Sequence, residues 1–334
     1  MLLKPHANMR YRQSLHTLAT TELYCTLQAW GEKAEPHIHE LGGEPFLVFE
    51  SDSLSPEAWR AASANAGCCF AAQWQEEALY PLSRAGQSYY PEELPELLKY
   101  KGKTNPDFTR MLLHCAKAAS AFARHPGPLT VLDPLCGKGT TLFCALTEGN
   151  HAVGLELDAR ALEEADRYLE RSLKLHRYKH KREEKALTLP KGRSAKCVAY
   201  TLADSPESMK RGDTRSLRMI RGELGEVPFT LPKGSCQLAV ADLPYGVQHA
   251  PMEGKAAISL ERLAQKAAAG CYHALAKGGA AALSFNAYTL RRERALDLLE
   301  EAGLTPLRGR PYDEGFAHWV EQAVSRDAVI AVKA

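Results

Sequence analysis

At 334 residues, 45% hydrophobic and 25% charged, the chain has room for one large globular domain and a smaller one. No apolar run approaches the ~20 residues that span a bilayer, and the N-terminus lacks a signal-like apolar stretch, so a cytoplasmic protein without a membrane partner is expected. The net charge of +2 conceals an asymmetry, 7 Lys/Arg against 13 Asp/Glu in residues 1–99 and 35 against 27 in the remainder, which puts any nucleic-acid partner on the second part.

In chain order, Leu15 to Trp30 has apolar residues at helical spacing. Pro45–Glu50 reads as a strand, and Ser55-Pro56-Glu57 starts a helix with Ser55 as N-cap. Residues 1–97 thus form a small α+β unit. From residue 98 the pattern becomes alternating. Thr109–Ala123 is a helix, Leu129–Asp133 a strand, and a glycine turn leads into a helix ending at Leu146. His151–Leu157 is a strand, Ala159–Leu175 a helix, Gln237–Asp242 a strand, Ile258–Ala276 a helix and Ala280–Phe285 a strand. Arg292–Ala302 and Ala328–Val332 close the series, with Trp319–Val324 and Ala328–Val332 as a hairpin turning at Ser325-Arg326-Asp327. Such alternation predicts an α/β fold with a doubly wound sheet, its ligand site at the carboxyl ends of the strands. The stretch 174–196 interrupts it. Arg171–Lys196 holds ten Lys/Arg and two Glu, and reads either as a basic flap for RNA, with Lys179, Lys181 and Arg182 as contacts, or as a solvated helix end and loop. The nine cysteines include no Cys-x-x-Cys and no zinc spacing, so no metal is expected.

Asp133-Pro134-Leu135-Cys136-Gly137-Lys138-Gly139-Thr140-Thr141 follows a buried strand. Gly137 and Gly139 permit a tight turn and close ligand approach, and a helix from Thr140 would aim its N–H groups at that ligand. Glu156, 19 residues after Gly137, stands where a carboxylate binds ribose hydroxyls. A P-loop fails, because Lys138 precedes the second glycine. A dinucleotide site fits poorly, because Leu142 replaces a third glycine and Asp133 would repel a pyrophosphate. Asp133 suits the cationic end of S-adenosylmethionine. Asp213, in Arg211-Gly212-Asp213, is a candidate acceptor for an adenine amino group, with Asp204 as competitor.

Asp242-Leu243-Pro244-Tyr245-Gly246 ends another strand. Asp242 and the carbonyl of Leu243 can hold the hydrogens of an exocyclic amine. Pro244 fixes the turn, and Tyr245 can stack on an extruded base.

These two motifs together resemble those of the UPF0020 family of RNA methyltransferases, which includes tRNA guanine-N2 methyltransferases carrying a THUMP domain. The resemblance implies a Rossmann-like class I methyltransferase domain over 98–334. It implies S-adenosylmethionine as cofactor, bound by Asp133, Pro134, Cys136, Gly137, Gly139, Thr140, Thr141, Glu156 and Asp213. It implies a target site of Asp242, Leu243, Pro244, Tyr245 and Gly246, acting on a guanine N2 of tRNA or rRNA. Thr104-Asn105-Pro106-Asp107-Phe108-Thr109 is similar to a segment that closes over the cofactor, which adds Thr104 and Phe108. The N-terminal unit is faintly like a ferredoxin-like module and would position RNA. Two departures stand out: Leu243 replaces a frequent proline, and residues 1–97 are too few for a full THUMP domain with its linker. A DNA or RNA adenine-N6 or cytosine-N4 methyltransferase, which usually carries Asn in place of Asp242, and a non-catalytic cofactor-binding RNA-associated protein are the alternatives.

Overall fold

The computed structural model describes all residues except 6–8, 85–87, 99–102, 245–251, 254–255, 258 and 314. The N-terminal unit runs β1 (Leu2–Leu3), α1 (Met9–Ala29), β2 (His37–Leu41), β3 (Glu44–Val48), α2 (Pro56–Ser63) and β4 (Cys68–Phe70). Its sheet has the order β2-β3-β1-β4, all antiparallel, which is the β-α-β-β-α-β arrangement of ferredoxin-like units. Ser55 caps α2 by accepting from the Ala58 N–H at 3.1 Å, with Pro56 at the first helical position. Leu3, Ala19, Leu23, Leu27, Leu47 and Cys68 form its small core. A separate hairpin, β5 (Ala72–Gln75) and β6 (Ala78–Pro81), follows.

The large unit begins with α3 (Pro106–Ala119), β7 (Thr130–Asp133), α4 (Thr140–Thr147), β8 (His151–Glu156) and α5 (Ala159–Leu175). It continues through β9 (Lys179–Thr188), β10 (Ser194–Ala203), α6 (Pro206–Arg211), β11 (Arg215–Arg221), α7 (Val227–Thr230) and β12 (Cys236–Asp242). After β13 (Met252–Glu253) and β14 (Ala256–Ala257) come α8 (Leu260–Ala274), β15 (Leu275–Asn286), α9 (Arg292–Glu301), β16 (Thr305–Pro306), β17 (His318–Glu321) and β18 (Val324–Val332). The sheet order is β16-β18-β15-β12-β7-β8-β11-β10-β9, with β17 on β18. Strands β11, β8, β7, β12 and β15 are parallel, and β18 is antiparallel to β15. This is a Rossmann-like, doubly wound sheet. The central strands are near-continuous apolar runs because both faces are covered. Phe108, Leu112, Leu142, Phe143, Leu162 and Leu169 pack on one face. Val227, Leu263, Ala267, Leu296 and Leu299 pack on the other. From β7 the chain winds outward through β8 to β11, then returns to β12 on the other side of β7 and winds away. The switch point therefore lies between the carboxyl ends of β7 and β12, where open α/β sheets bind ligands.

Three elements differ from expectation. The stretch 174–196 is no loose flap: β9 and β10 pair residue for residue from Lys179–Ala203 to Thr188–Ser194 and extend the sheet past β11. The charges that read as a solvated loop alternate along a highly exposed edge strand, where they discourage edge-to-edge association. The C-terminal hairpin turns at residues 322–323, and Ser325, Arg326 and Asp327 lie inside β18. Their polar character suggested a turn, but ladder partners on β15 and a buried Arg292–Asp327 ion pair at 2.9 Å satisfy them as strand residues. Helix α3 starts at Pro106, because the Asn105 side chain accepts from the Asp107 N–H at 2.9 Å and Pro106 occupies the first position.

The two units share a core. Leu18, Cys25 and Ala66 belong to the same apolar cluster as Leu112 and Cys115 of α3. A polar tie crosses this contact. His114 on α3 meets Glu22 of α1 through Nδ1 at 2.5 Å and Glu148 after α4 through Nε2 at 2.9 Å. Glu22 also accepts the Ala66 N–H through both oxygens. Burial pulls the His114 imidazole down, but Glu148 and Glu22 outweigh it and push it up to about 10. A raised histidine stabilises fully below its unfolded value near 6.5 and loses that contribution as pH rises towards 10. His114→Gln should therefore cost about 3 kcal/mol at pH 6.5, with the gap to wild type narrowing by pH 10. Thermal unfolding at both pH values checks this; a gap independent of pH would remove the charged bridge.

Candidate functional site

Strand β7 ends in Asp133, which is 3% exposed, and the chain turns at once. Gly137 at φ +51 and Gly139 at φ +88 are left-handed, and the Gly139 N–H closes the turn onto the Cys136 carbonyl at 2.7 Å. A Cβ on Gly139 would strike Phe143, whereas one on Gly137 would enter open space. Gly139 thus serves packing, and Gly137 leaves a side of the turn that a ligand can approach. Thr140 begins α4. The Leu135 N–H donates to Asp133 Oδ1 at 2.9 Å, and the Thr141 hydroxyl donates to the same carboxylate. Pro134 is buried, and Cys136 fills the hollow over Gly154, where a Cβ would lie 2.6 Å from its Sγ. Cys136 is a packing residue.

Glu156, at the carboxyl end of β8, reaches back to this turn. Its Oε2 accepts the Gly137 N–H at 2.9 Å and its Oε1 the Asp158 N–H at 2.8 Å. The Leu157 N–H also bonds this carboxylate, which leaves about one of its four lone-pair positions for a hydroxyl donor. Burial raises its proton affinity, against the backbone N–H groups that stabilise its charge.

Asp213 is not part of the constellation. It precedes β11 at the amino end of the sheet, where its N–H donates to the Ser208 carbonyl and its carboxylate pairs with Arg215 at 2.7 Å. Asp204 lies at that same end, after β10. The acid that does follow β11 is Glu223. Arg221 lies level with Glu156, the Gly222 N–H donates to the Glu156 carbonyl at 3.0 Å, and Glu223 opens the next turn. Gly222-Glu223 follows β11, while Gly212-Asp213 precedes it; the strand, RSLRMIR, carries only three apolar residues, so the signal in the sequence is weak.

On β12, Asp242 projects on the same face as Asp133 and Phe108. Its Oδ2 accepts the Thr104 hydroxyl and lies 3.8 Å from Nη2 of the buried Arg326. Leu243 is fully buried on the opposite face, and its N–H donates to the Ser284 carbonyl at 2.9 Å. A proline there could not make that bond, so leucine at 243 anchors the loop while leaving its carbonyl available. Pro244 follows; Tyr245 and Gly246 lie outside the described residues. Thr104 is at the site through Asp242. Phe108 is not: at 1% exposure it is held between Arg326, 4.9 Å from its ring centroid, and His318 at 4.7 Å. Burial and Arg326 lower His318 to about 4, against the Phe316 carbonyl and Asp242. Asn286 serves structure, bonding the 323 carbonyl and the 288 and 325 N–H groups. Ser284, level with Asp242, is fully buried, and its hydroxyl has no hydrogen-bond partner among the described residues.

No family model matches the chain, and no curated protein matches it. Several solved structures are similar at low identity. A TehB-like SAM-dependent methyltransferase from Corynebacterium glutamicum has 16% identity and a TM-score of 0.39, over 68% of this chain and 88% of that one. Magnesium protoporphyrin IX methyltransferase from Synechocystis with bound SAM has 12% and 0.39, over 70% and 87%. An S-adenosylmethionine-dependent methyltransferase from Clostridium acetobutylicum has 10% and 0.41, over 70% and 94%. Likeness at this level carries no argument about this chain, whose fold stands on its strand order and whose site stands on its side chains.

The basic hairpin divides between the two ends of the sheet. Lys179 pairs with Ala203 beyond the amino end of β11, and Lys181 and Arg182 follow it there. They are roughly five strand spacings, about 24 Å, from β12 and at the end opposite to Asp242. Arg182 is also engaged by Asp166 and Glu184, both at 2.7 Å. The tip instead rises past the carboxyl end and walls an open groove of about 820 Å³ with Lys185, Arg193, Lys196, Arg221, Glu223 and Leu157. Among the described residues no cluster of His, Cys, Asp and Glu could hold a metal ion, and no helix is long and apolar enough to cross a membrane.

The site thus gathers three carboxylates, Asp133, Glu156 and Asp242, around the switch point. Burial pushes Asp133 up to about 7; Asp242 and Glu156 add to this, while Thr141 and the Leu135 N–H oppose it. A carboxylate raised in the folded state costs stability as pH rises from its unfolded value near 4 to its folded value near 7. Asn keeps the acceptor for Leu135 without the charge. Unliganded Asp133→Asn should therefore exceed wild type by on the order of 2 kcal/mol at pH 8, the gain shrinking towards pH 4. Urea unfolding across that range measures it, and a loss of stability at pH 8 would contradict the acid cluster.

Proposed function

We propose that the chain is an S-adenosylmethionine-dependent methyltransferase acting on an exocyclic amine of a base in RNA, with guanine N2 as the amine. One observation carries the reading: Asp133 and Asp242 end adjacent parallel strands at the switch point, beside a left-handed glycine turn tied to Glu156. Three acids converge there, while Lys138 of the glycine turn is engaged by Glu164. A pyrophosphate would be repelled; a cationic ligand with a ribose would be favoured. The residues therefore fit S-adenosylmethionine, with Asp133 towards its cationic end, Glu156 towards ribose hydroxyls, and Leu157 and Glu223 towards the base. When bound, that cofactor supplies an electrophilic methyl group.

The chain's own residues then do the positioning. Asp242 and the Leu243 carbonyl accept the amino hydrogens and hold the nitrogen in one orientation. Pro244 keeps that carbonyl turned outward. The Asp242 carboxylate also suits the positive charge that develops on nitrogen, and it is the base within reach of the proton that nitrogen sheds. Asp rather than Asn at 242 supports guanine over adenine-N6 or cytosine-N4 targets, and the intact acceptor pair supports catalysis over binding alone. RNA as partner rests on Lys185, Arg193, Lys196 and Arg221, which stand among Glu184, Glu223 and Glu226 in the groove wall, and on the small ferredoxin-like unit that docks against α3.

The deciding experiment incubates the protein with labelled S-adenosylmethionine and separate pools of tRNA, rRNA and DNA, followed by nucleoside analysis. N2-methylguanosine in RNA is expected; N6-methyladenosine or N4-methylcytosine would replace the guanine assignment. Asp242→Ala should reduce transfer at least 1,000-fold, about 4 kcal/mol, with cofactor affinity by calorimetry within a few-fold of wild type. Undiminished turnover would refute the target loop.

The groove also predicts where RNA lies. Replacing Lys185, Lys196 and Arg221 by Gln should lower the slope of log affinity against log salt by about 2. Replacing Lys179 and Lys181 should change it little. The opposite ranking, from binding titrations at several salt concentrations, would move RNA to the amino end of the sheet.

A further inference from the structure

We infer that Arg326 is a positioning residue for methyl transfer, fixing the Asp242 carboxylate and supplying its counter-charge in a pocket crowded with acids. This rests on the proposed methyltransferase reading, which does not itself require any cation at the target loop. Arg326 is 4% exposed, inside β18 and level with Asn286 at the end of β15. A buried guanidinium without acidic partners is strongly disfavoured, and removing one partner of such a pair leaves the other uncompensated. The acid beside it in sequence, Asp327, is taken by Arg292 through both oxygens at 2.9 Å. Arg326 instead turns towards Asp242, its Nη2 3.8 Å from Oδ2, with its plane over Phe108.

The groups around Asp242 explain why a cation is needed. From β7 it faces the carboxylate of Asp133, from the residue before the N-cap of α3 the neutral hydroxyl of Thr104, and from β17 His318. His318 bonds the Phe316 carbonyl through Nδ1 at 2.9 Å, so that nitrogen carries the proton, and burial keeps the ring neutral. The carboxylate that must accept an amino hydrogen thus has a second acid on one side and an uncharged imidazole on the other. Arg326 brings a positive charge to it. Thr104 hydrogen-bonds Oδ2, and Arg326, at 3.8 Å too far for a hydrogen bond, acts on the same oxygen through its charge. A guanidinium meets this need better than a lysine, because it stays charged when buried and can stack on Phe108 at the same time.

The test compares Arg326→Met and Arg326→Lys in the full chain, with labelled S-adenosylmethionine and total tRNA and rRNA as acceptors. Arg326→Met should slow transfer at saturating cofactor about 100-fold and shift the acid limb of the rate profile to higher pH. Cofactor affinity should stay within about threefold of wild type. Arg326→Lys should recover most of the rate and the wild-type profile. In an Asp242→Asn background, Arg326→Met should have no further effect on rate. A wild-type rate in Arg326→Met, equal losses in both variants with an unmoved pH profile, or additive losses in the double mutant would each overturn the inference while leaving the methyltransferase reading in place. If Arg326→Met loses cofactor affinity through misfolding, Arg326→Lys and the double mutant still decide. Wild-type protein that transfers no methyl group to either pool would instead overturn the reading and this inference with it.

Discussion

The Asp133 carboxylate is buried at the one place in the sheet where the chain reverses its winding, and much of the surrounding architecture is arranged to tolerate it. An isolated buried carboxylate is costly. Asp133 escapes the full cost because the Leu135 N–H and the Thr141 hydroxyl both point at it. Those donors are in place only because Gly137 and Gly139 take left-handed conformations that bring the start of α4 back over the strand end. Glu156 locks the turn from the next strand by accepting the Gly137 N–H. The cluster is therefore rigid and acidic before any ligand arrives. A cation entering it gains from charges that the fold has already desolvated, which is the physical content of preorganisation.

The parts of this arrangement that were legible in the sequence are those set by local chemistry. Apolar runs gave β7, β8 and β12 within a residue, because parallel strands covered on both faces have no other pattern open to them; β15 and β18 start four to five residues earlier than expected, and β11, with three arginines, was not expected as a strand. The glycine turn, Asp133, Glu156 and Asp242 were legible because each needs a particular residue type directly after a strand. Tertiary override accounts for what was not. Ser325, Arg326 and Asp327 look like a turn in isolation and become strand only when β15 offers a ladder and Arg292 a counter-charge. Lys179–Thr188 has no apolar face, so nothing local distinguishes an edge strand from a loop; its hydrogen bonds to β10 decide. Asp213 was singled out because an acid after glycine is common, and only strand direction shows that it lies at the amino end of the sheet while Glu223 lies at the carboxyl end. Phe108 sits in a segment whose resemblance suggested a cofactor contact, but the first turn of α3 rotates it into the core.

The departure at Leu243 illustrates how one position can serve two requirements. The target loop needs an outward carbonyl, which a proline would also provide. Leucine adds a buried side chain on the far face and an N–H that continues the ladder to Ser284. The loop is thereby fastened to β15 one residue beyond Asp242. At the same level the Ser284 hydroxyl has no hydrogen-bond partner among the described residues, a deficit of about 1–3 kcal/mol.

Helix α3 joins these local arguments into one. It is about 21 Å long at 1.5 Å per residue, and both units hold it. At its start Thr104 touches Asp242, and one turn on Asp107 pairs with Lys4 of the N-terminal unit at 2.7 Å. Further along, His114 bridges Glu22 of α1 and Glu148 after α4. Close packing leaves no slack for these contacts to shift independently. Gly315 makes the point from the other side, since a Cβ there would lie 1.9 Å from the Thr21 hydroxyl of α1. A displacement of the N-terminal unit against the sheet therefore loads α3, and α3 ends on the carboxylate at the centre of the target loop. The small unit and the acid cluster are thus coupled through a helix that charge pairs hold in its first turn and near its middle.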